Sequence, residues 1–216
     1  SDNLLYYPYG LPAPQFHNTG TFRKSAGAST TSINGWLFSN TGSVDVQSGT
    51  LGFDNASGII SGQWMTAANT GIRFNSGSYT NGAGATFTGP GLSRFIGTTL
   101  VLTGAGAPAG LRLEGGTVLP APGFQGGAIT DLTLHGSTLL TTGAVNTVTG
   151  SLVASNGSFS GVLTIGPTGQ LILAGPAAKT FSALRLLNLG TVRWLEGTVQ
   201  SDFTAPLTLV TNAGLW

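Results

Sequence analysis

The sequence predicts an all-β fold, a single-stranded parallel β-helix (β-solenoid) of about nine or ten coils, on three observations. Helix signals are nearly missing: the 216 residues include 35 Gly, and each Gly inside a helix would cost about 0.8–1 kcal/mol. Short apolar runs recur between turn residues, as in Thr99-Leu100-Val101-Leu102 and Gln170-Leu171-Ile172-Leu173. The third observation is a repeated unit. Asn18-Thr19-Gly20-Thr21-Phe22 returns as Asn40-Thr41-Gly42-Ser43-Val44, as Asn188-Leu189-Gly190-Thr191-Val192 and as Asn212-Ala213-Gly214-Leu215-Trp216. An antiparallel β-sandwich also has short strands at close spacing, but it gives an Asn-x-Gly unit no reason to recur.

From the N-terminus, residues 1–16 carry Leu4-Leu5-Tyr6-Tyr7-Pro8-Tyr9 and then Pro12 and Pro14. This stretch breaks the repeat and reads as a cap or strap over the first coil, where an open sheet edge would otherwise invite pairing. Residues 17–216 read as the solenoid. Between the Asn-x-Gly units a looser Gly-(Thr/Ser)-apolar unit appears, for example Gly49-Thr50-Leu51, Gly116-Thr117-Val118 and Gly150-Ser151-Leu152. The run Gly104-Ala105-Gly106-Ala107-Pro108-Ala109-Gly110 reads as a loop protruding from one face. It imitates a dinucleotide fingerprint, yet Pro108 interrupts it and Leu111-Arg112-Leu113 alternates like a strand, so no helix N-terminus would hold a pyrophosphate. In Thr191-Val192-Arg193-Trp194-Leu195-Glu196 the alternation places Val192 and Trp194 on one face.

Charge is scarce, with 7% Asp, Glu, Lys and Arg and a net charge of +1. That balance argues against nucleic acid and anionic membrane surfaces as partners. Cysteine is absent, so stability rests on packing and backbone hydrogen bonds rather than disulfides. No apolar run reaches the roughly 18 residues needed to span a bilayer. The chain opens on Ser1 rather than Met, as a processed form or a fragment would.

The stretches 17–55 and 184–216 resemble repeats of very large secreted bacterial β-helical proteins of the adhesin and autotransporter-passenger type. The residues that carry the resemblance are Asn18 to Gly27, Phe38 to Leu51 and Leu187 to Trp194. It implies a right-handed parallel β-helix, an extracellular or cell-surface location in bacteria, and a scaffold or attachment role. It carries over no functional residue.

Chemistry is sparse. Glycoside hydrolysis needs two carboxylates about 5–9.5 Å apart, and the chain holds seven acidic residues in all. Residues one coil apart stack, so Glu114 and Asp131, with Arg112 and His135 nearby, form the one constellation to inspect for catalysis; the expectation is that the chain is not an enzyme. His17 and His135 lack partners at metal-ligand spacing, and no acidic cluster suits calcium. No cofactor is implied. Trp36, Trp64, Trp194 and Trp216 would stack on glycans if exposed, though in solenoids such rings more often fill the interior. Thr-x-Thr units occur without a coil-length period, which argues against ice binding as the role. The final unit stops after five residues, leaving the last coil without an evident cap. Leu4, Leu5, Tyr6, Tyr7 and Tyr9 at one end, with Leu215 and Trp216 at the other, are therefore the candidate assembly residues. The partner they imply is a second copy stacking head to tail into a filament, or neighbouring repeats of a longer chain. Surface glycans are the remaining partner class.

Overall fold

The computed structural model describes residues 4–7, 12–142, 145–202 and 206–216. The fold is all-β, a parallel solenoid of about nine coils with one short 3-10 turn at Phe124–Gly127. Residues 1–101 with 107–112 form one compact unit, and residues 102–106 with 113–216 form a second. Every strand pairing described is parallel, which rules out the antiparallel sandwich.

In the first unit each coil contributes a short strand to each of three sheets. The first sheet stacks Leu4–Tyr6, Thr30–Asn34, Thr50–Asp54, Gly71–Phe74 and Leu92–Phe95. The second stacks Gln15–Asn18, Leu37–Asn40, Ala56–Ile60 and Gly77–Asn81, and the third Thr21–Lys24, Ser43–Val46, Gln63–Thr66 and Thr86–Thr88. Thr30, Thr50, Gly71 and Leu92 occupy one column on successive rungs. The first rung is longer: Leu4 pairs with Ser32. The described part of the Tyr/Pro-rich stretch thus joins the first sheet as a strand, and the boundary expected at 16/17 falls within Gln15–Asn18. Tyr9 lies outside the described residues.

The interior of this unit is aromatic because the rung spacing suits ring stacking. Phe53 and Phe74 occupy the same column and stack with centroids 4.9 Å apart, close to the 4.7–4.9 Å strand separation. Phe16 with Phe38, and Trp64 with Phe87, repeat this on the other two sheets at 5.2 and 5.3 Å.

The second unit uses the same three-sided plan with longer, bent strands. Thr117–Pro120, Thr138–Thr141, the first half of Gly157–Ile165, the first half of Lys179–Asn188, and Val199–Ser201 form one column. Ile129–Leu134, Thr147–Ala154, Gln170–Leu173 and Thr191–Trp194 form another. The second half of Lys179–Asn188 carries Leu209–Asn212 on the remaining side. Its core is mostly aliphatic: Leu132, Leu152, Leu171 and Val192 follow one another rung by rung. Where Ser160 pairs with Ser182 but Gly161 pairs with Leu184, Ala183 is the extra residue of a β-bulge, at φ 49°.

The structure gives the Asn-x-Gly unit its physical reason. The asparagine turns into the corner and supplies the hydrogen bonds that the bent backbone cannot make with itself. Asn18 Nδ2 donates to Asn40 Oδ1 at 2.6 Å and to the Ser43 carbonyl at 2.8 Å. Asn40 Nδ2 donates in turn to the Ser61 carbonyl at 2.7 Å. Asn188 repeats the pattern, donating to Asn212 Oδ1 at 2.7 Å and to the Leu215 carbonyl at 2.9 Å. The glycine is required because each coil's corner lies against the corner below. A Cβ on Gly42 would stand 2.2 Å from the Gly20 carbonyl oxygen, and one on Gly214 2.3 Å from that of Gly190.

Two buried titratable groups set opposing pH effects. Burial lowers the pKa of Lys179, partly offset by Glu196; its ammonium donates to the Gly175 and Glu196 carbonyls at 2.5 and 2.9 Å. The unfolded chain keeps that proton up to about pH 10.4, so Lys179 makes stability rise with pH from its lowered value up to that point. Tyr79 is opposite in sign. Burial, then the Asp54 charge, raises its phenol well above the ordinary value. The unfolded chain releases this proton near pH 10, so stability present below that pH is lost above it. The Tyr79 hydroxyl is also buried without a hydrogen-bond partner. Tyr79→Phe is therefore expected to stabilise the chain by about 1–2 kcal/mol and to blunt the loss of stability above pH ~10. Urea unfolding from pH 8 to 11 checks both; a destabilised variant would refute the reading of an unsatisfied hydroxyl.

Candidate functional site

Three carboxylates, of Asp45, Asp54 and Asp202, join neighbouring coils. Arg23 Nε donates to Asp45 Oδ2 at 2.9 Å across one rung of the third sheet, an exposed pair worth about 0–1 kcal/mol. Asp54 accepts from Ser32 Oγ on the coil below and, at 2.7 Å, from Asn75 Nδ2 on the coil above. Asp202 accepts from Ser182 Oγ.

Of the residues singled out for catalysis, Glu114 and His135 come level: the His135 amide donates to the Leu113 carbonyl at 2.8 Å, setting Glu114 on the rung beneath His135. Asp131 is exposed and pairs in register with Ser151, four residues upstream of His135 along the strand run. At about 3.3 Å per residue that is roughly 13 Å. His135 Nδ1 lies 3.4 Å from Ser155 Oγ. His17 Nε2 lies 2.9 Å from Gln15 Oε1. Among the described residues no group of three or more His, Cys, Asp and Glu could hold a metal ion, and no helix is long and apolar enough to cross a membrane.

The four tryptophans divide. Trp64 is fully buried among Phe38, Phe53, Phe74 and Phe87, and Trp36 is half-buried. Trp194 is 51% exposed and Trp216 43% exposed. The alternation expects Trp194 on one face with Val192, and Val192 is buried. Its column partner Leu173 is buried, and above its strand the bridge from Thr191 to Leu215 lies three residues short of Trp194. The indole therefore stands open, with Nε1 donating to the Gly197 carbonyl at 2.9 Å.

The edges of the two units present the most distinctive surfaces. In the first unit, Leu4–Tyr6, Gln15–Asn18 and Thr21–Lys24 are the edge strands of their sheets. Between them opens a cleft of about 490 Å³, lined by Leu4, Leu5, Phe16, Phe22, Ile33 and the stem of Lys24 among others. In the second unit, Thr191–Trp194, Val199–Ser201 and Leu209–Asn212 are edge strands. Val199–Ser201 and Leu209–Asn212 border a cleft of about 440 Å³ that includes Phe181, Val199, Val210 and Trp216. Leu215 is 67% exposed beside it.

Leu4, Leu5 and Trp216, expected as end residues, line these clefts; Tyr6 is exposed on the same edge strand as Leu4 and Leu5. Sequence reasoning missed Phe16, Phe22 and Ile33 at one edge, and Phe181, Val199 and Val210 at the other. Their signal is the coil period itself: Phe16 stands one rung from Phe38, and Phe181 one rung from Phe159. Phe16, Phe22, Val199 and Val210 lie on the edge strands themselves, while Ile33 and Phe181 lie one rung in, covered by Leu4–Tyr6 and Val199–Ser201.

Comparison with protein-family models, with curated proteins and with solved structures found no match.

Proposed function

We propose that the chain is a non-catalytic structural or adhesive solenoid module of the bacterial cell surface or extracellular space. It stacks head to tail through its coil edges, with a second copy as partner. The observation that carries this reading is the pair of open edges. Each presents interior-type side chains and unpaired strand backbone, and each is apolar: Leu4, Leu5, Phe16 and Phe22 on one, Phe181, Val210 and Trp216 on the other. An edge strand is a template for another strand, and a contact between unlike edges propagates without closing. Two further points support the reading. The resemblance of 17–55 and 184–216 to adhesin-type repeats favours a surface scaffold, and the scarcity of charge leaves a hydroxyl- and amide-rich exterior suited to one. Neighbouring repeats of the same kind in a longer chain would meet the same edges.

Negative-stain electron microscopy across a dilution series tests this. Unbranched fibres of uniform width that lengthen with concentration are expected. A Val210→Lys, Trp216→Lys double variant, which puts charge on one edge, should leave isolated single particles. Monodisperse monomers of the unmodified chain at every concentration would overturn end-to-end assembly. A second reading, glycan binding, is favoured by the open indole of Trp194. Retention on an immobilised glycan that vanishes in Trp194→Ala would support it.

A further inference from the structure

The outer face of the first sheet holds an arrangement that edge-to-edge assembly does not use. Arg73 and Arg94 are direct partners on adjacent rungs, both pointing away from the core, since Ile72, Phe74 and Phe95 face inward and are fully buried. The residue one rung below Arg73 is Gly52. With no side chain there, the Arg73 guanidinium reaches across the Gly52 rung to the neighbouring column, where Nη2 donates to Thr30 Oγ1 at 3.0 Å. Its Nε is buried and has no hydrogen-bond partner.

Beside the two arginines opens a cleft of about 460 Å³, lined also by Thr50, Asn69, Gly71 and Leu92. Gly71 keeps the floor low: a Cβ there would come 3.2 Å from the Leu92 carbonyl oxygen and 3.7 Å from Thr50 Oγ1. Among the described residues no carboxylate lines the cleft. Asp54, the nearest in sequence on this face, is engaged by Ser32 and Asn75. A buried guanidinium nitrogen with an unused donor costs free energy until an acceptor fills it. A guanidinium fork suits a planar carboxylate or a sulfate better than any neutral group.

We propose that this cleft is a binding subsite for the oxyanion, carboxylate or sulfate, of an acidic sugar within an otherwise neutral glycan. Arg73 and Arg94 hold the oxyanion, Asn69 and Thr50 offer polar contacts to ring hydroxyls, and the 49%-exposed Leu92 offers an apolar patch to the ring face. The surroundings favour a saccharide over a nucleic acid. A nucleic acid needs a stripe of cations along its backbone, whereas the basic residues of this chain are few and scattered, with a net charge of +1. Two guanidiniums on two rungs match one acid group flanked by neutral sugar. The subsite is independent of filament formation, because a chain that never assembles would still bind.

The test is an NMR titration of the arginine Nε–H signals, assigned through single Arg→Lys variants. The probes are a uronic-acid oligosaccharide, a sulfated oligosaccharide, a neutral oligosaccharide of the same length, and inorganic sulfate. The signals of Arg73 and Arg94 should move with one acidic oligosaccharide and not with the neutral one; which acidic probe acts identifies the oxyanion. Arg73→Gln should weaken binding roughly 10- to 100-fold, while Arg185→Gln, on an exposed site of the other unit, should leave it unchanged. Arg73→Lys, which keeps the charge but loses the fork, covers the case in which Arg73→Gln folds poorly, and an intermediate affinity is expected from it. Silence of both arginine signals toward every acidic oligosaccharide would overturn the subsite. So would binding of inorganic sulfate without any oligosaccharide, or equal affinity in Arg73→Gln.

Discussion

Replacing Gly42 by valine is expected to destabilise the fold by about 3–5 kcal/mol, at the severe end of single substitutions, whereas Gly20→Val is expected to cost under about 1 kcal/mol. The two glycines hold the same place in the repeated Asn-x-Gly unit, so a local preference of the turn would affect both alike. They differ only in what lies beneath. A Cβ on Gly42 would sit 2.2 Å from the Gly20 carbonyl oxygen and 2.6 Å from the Thr19 carbonyl carbon, while a Cβ on Gly20 would meet nothing within 4 Å. Neither glycine has positive φ, so the effect is one of stacking and not of backbone conformation. The obstacle at Gly42 is backbone of the coil below, which cannot move without parting the rungs Thr21–Lys24 and Ser43–Val46. Urea unfolding of the two variants side by side checks this. Equal losses would mean that the glycine serves the turn alone.

Asn40→Leu is expected to cost about 2–4 kcal/mol, although leucine is similar in size and the site is fully buried. Asn40 accepts from Asn18 and donates to the Ser61 carbonyl, linking three successive corners. Leucine would strip the Asn40 donor from the Ser61 carbonyl, leaving it the Trp64 Nε1–H, would remove the bond to the Gly42 carbonyl, and would reduce Asn18 Nδ2 to its bond with the Ser43 carbonyl. Each hydrogen bond lost in this way is worth about 0.5–1.5 kcal/mol net, and three are lost together. Gln63→Ala, at an exposed site on the next coil, should change stability by less than about 0.5 kcal/mol. The comparison is read from urea midpoints at constant slope. An Asn40→Leu variant as stable as Gln63→Ala would show that the corner ladder contributes nothing net.

Both predictions concern the one motif that the sequence displays most openly, and the fold was legible through it. A coil must turn a corner every few residues, and the corner's backbone groups need an internal donor and a residue without a Cβ. Asn and Gly at fixed separation meet those needs at Asn18/Gly20, Asn40/Gly42, Asn188/Gly190 and Asn212/Gly214, where one such corner stacks on the next. The open edges were partly legible. Leu4, Leu5 and Trp216 stood out as apolar residues beside incomplete units, but Phe16, Phe181 and Val210 looked like any other core residue until their rungs were counted.

The sequence by itself determined the fold class: strand-length apolar runs, glycine too frequent for helix, and a corner motif that makes sense only when coils stack. Tertiary structure alone decided which side chains on different coils meet. Coil length drifts, from the long first step of Leu4 to Ser32 to the shorter step of Ser151 to Gln170, and a bulge at Ala183 shifts the register again. One residue gained or lost at a corner carries every later side chain to a new neighbour. That is why Glu114 lies beneath His135 and not beside Asp131, why Trp194 stands open while Leu173 below it is buried, and why Arg73 and Arg94 share a column. The alternation of a strand is local and survives such drift; the partnership between coils is the sum of all the corner lengths between them.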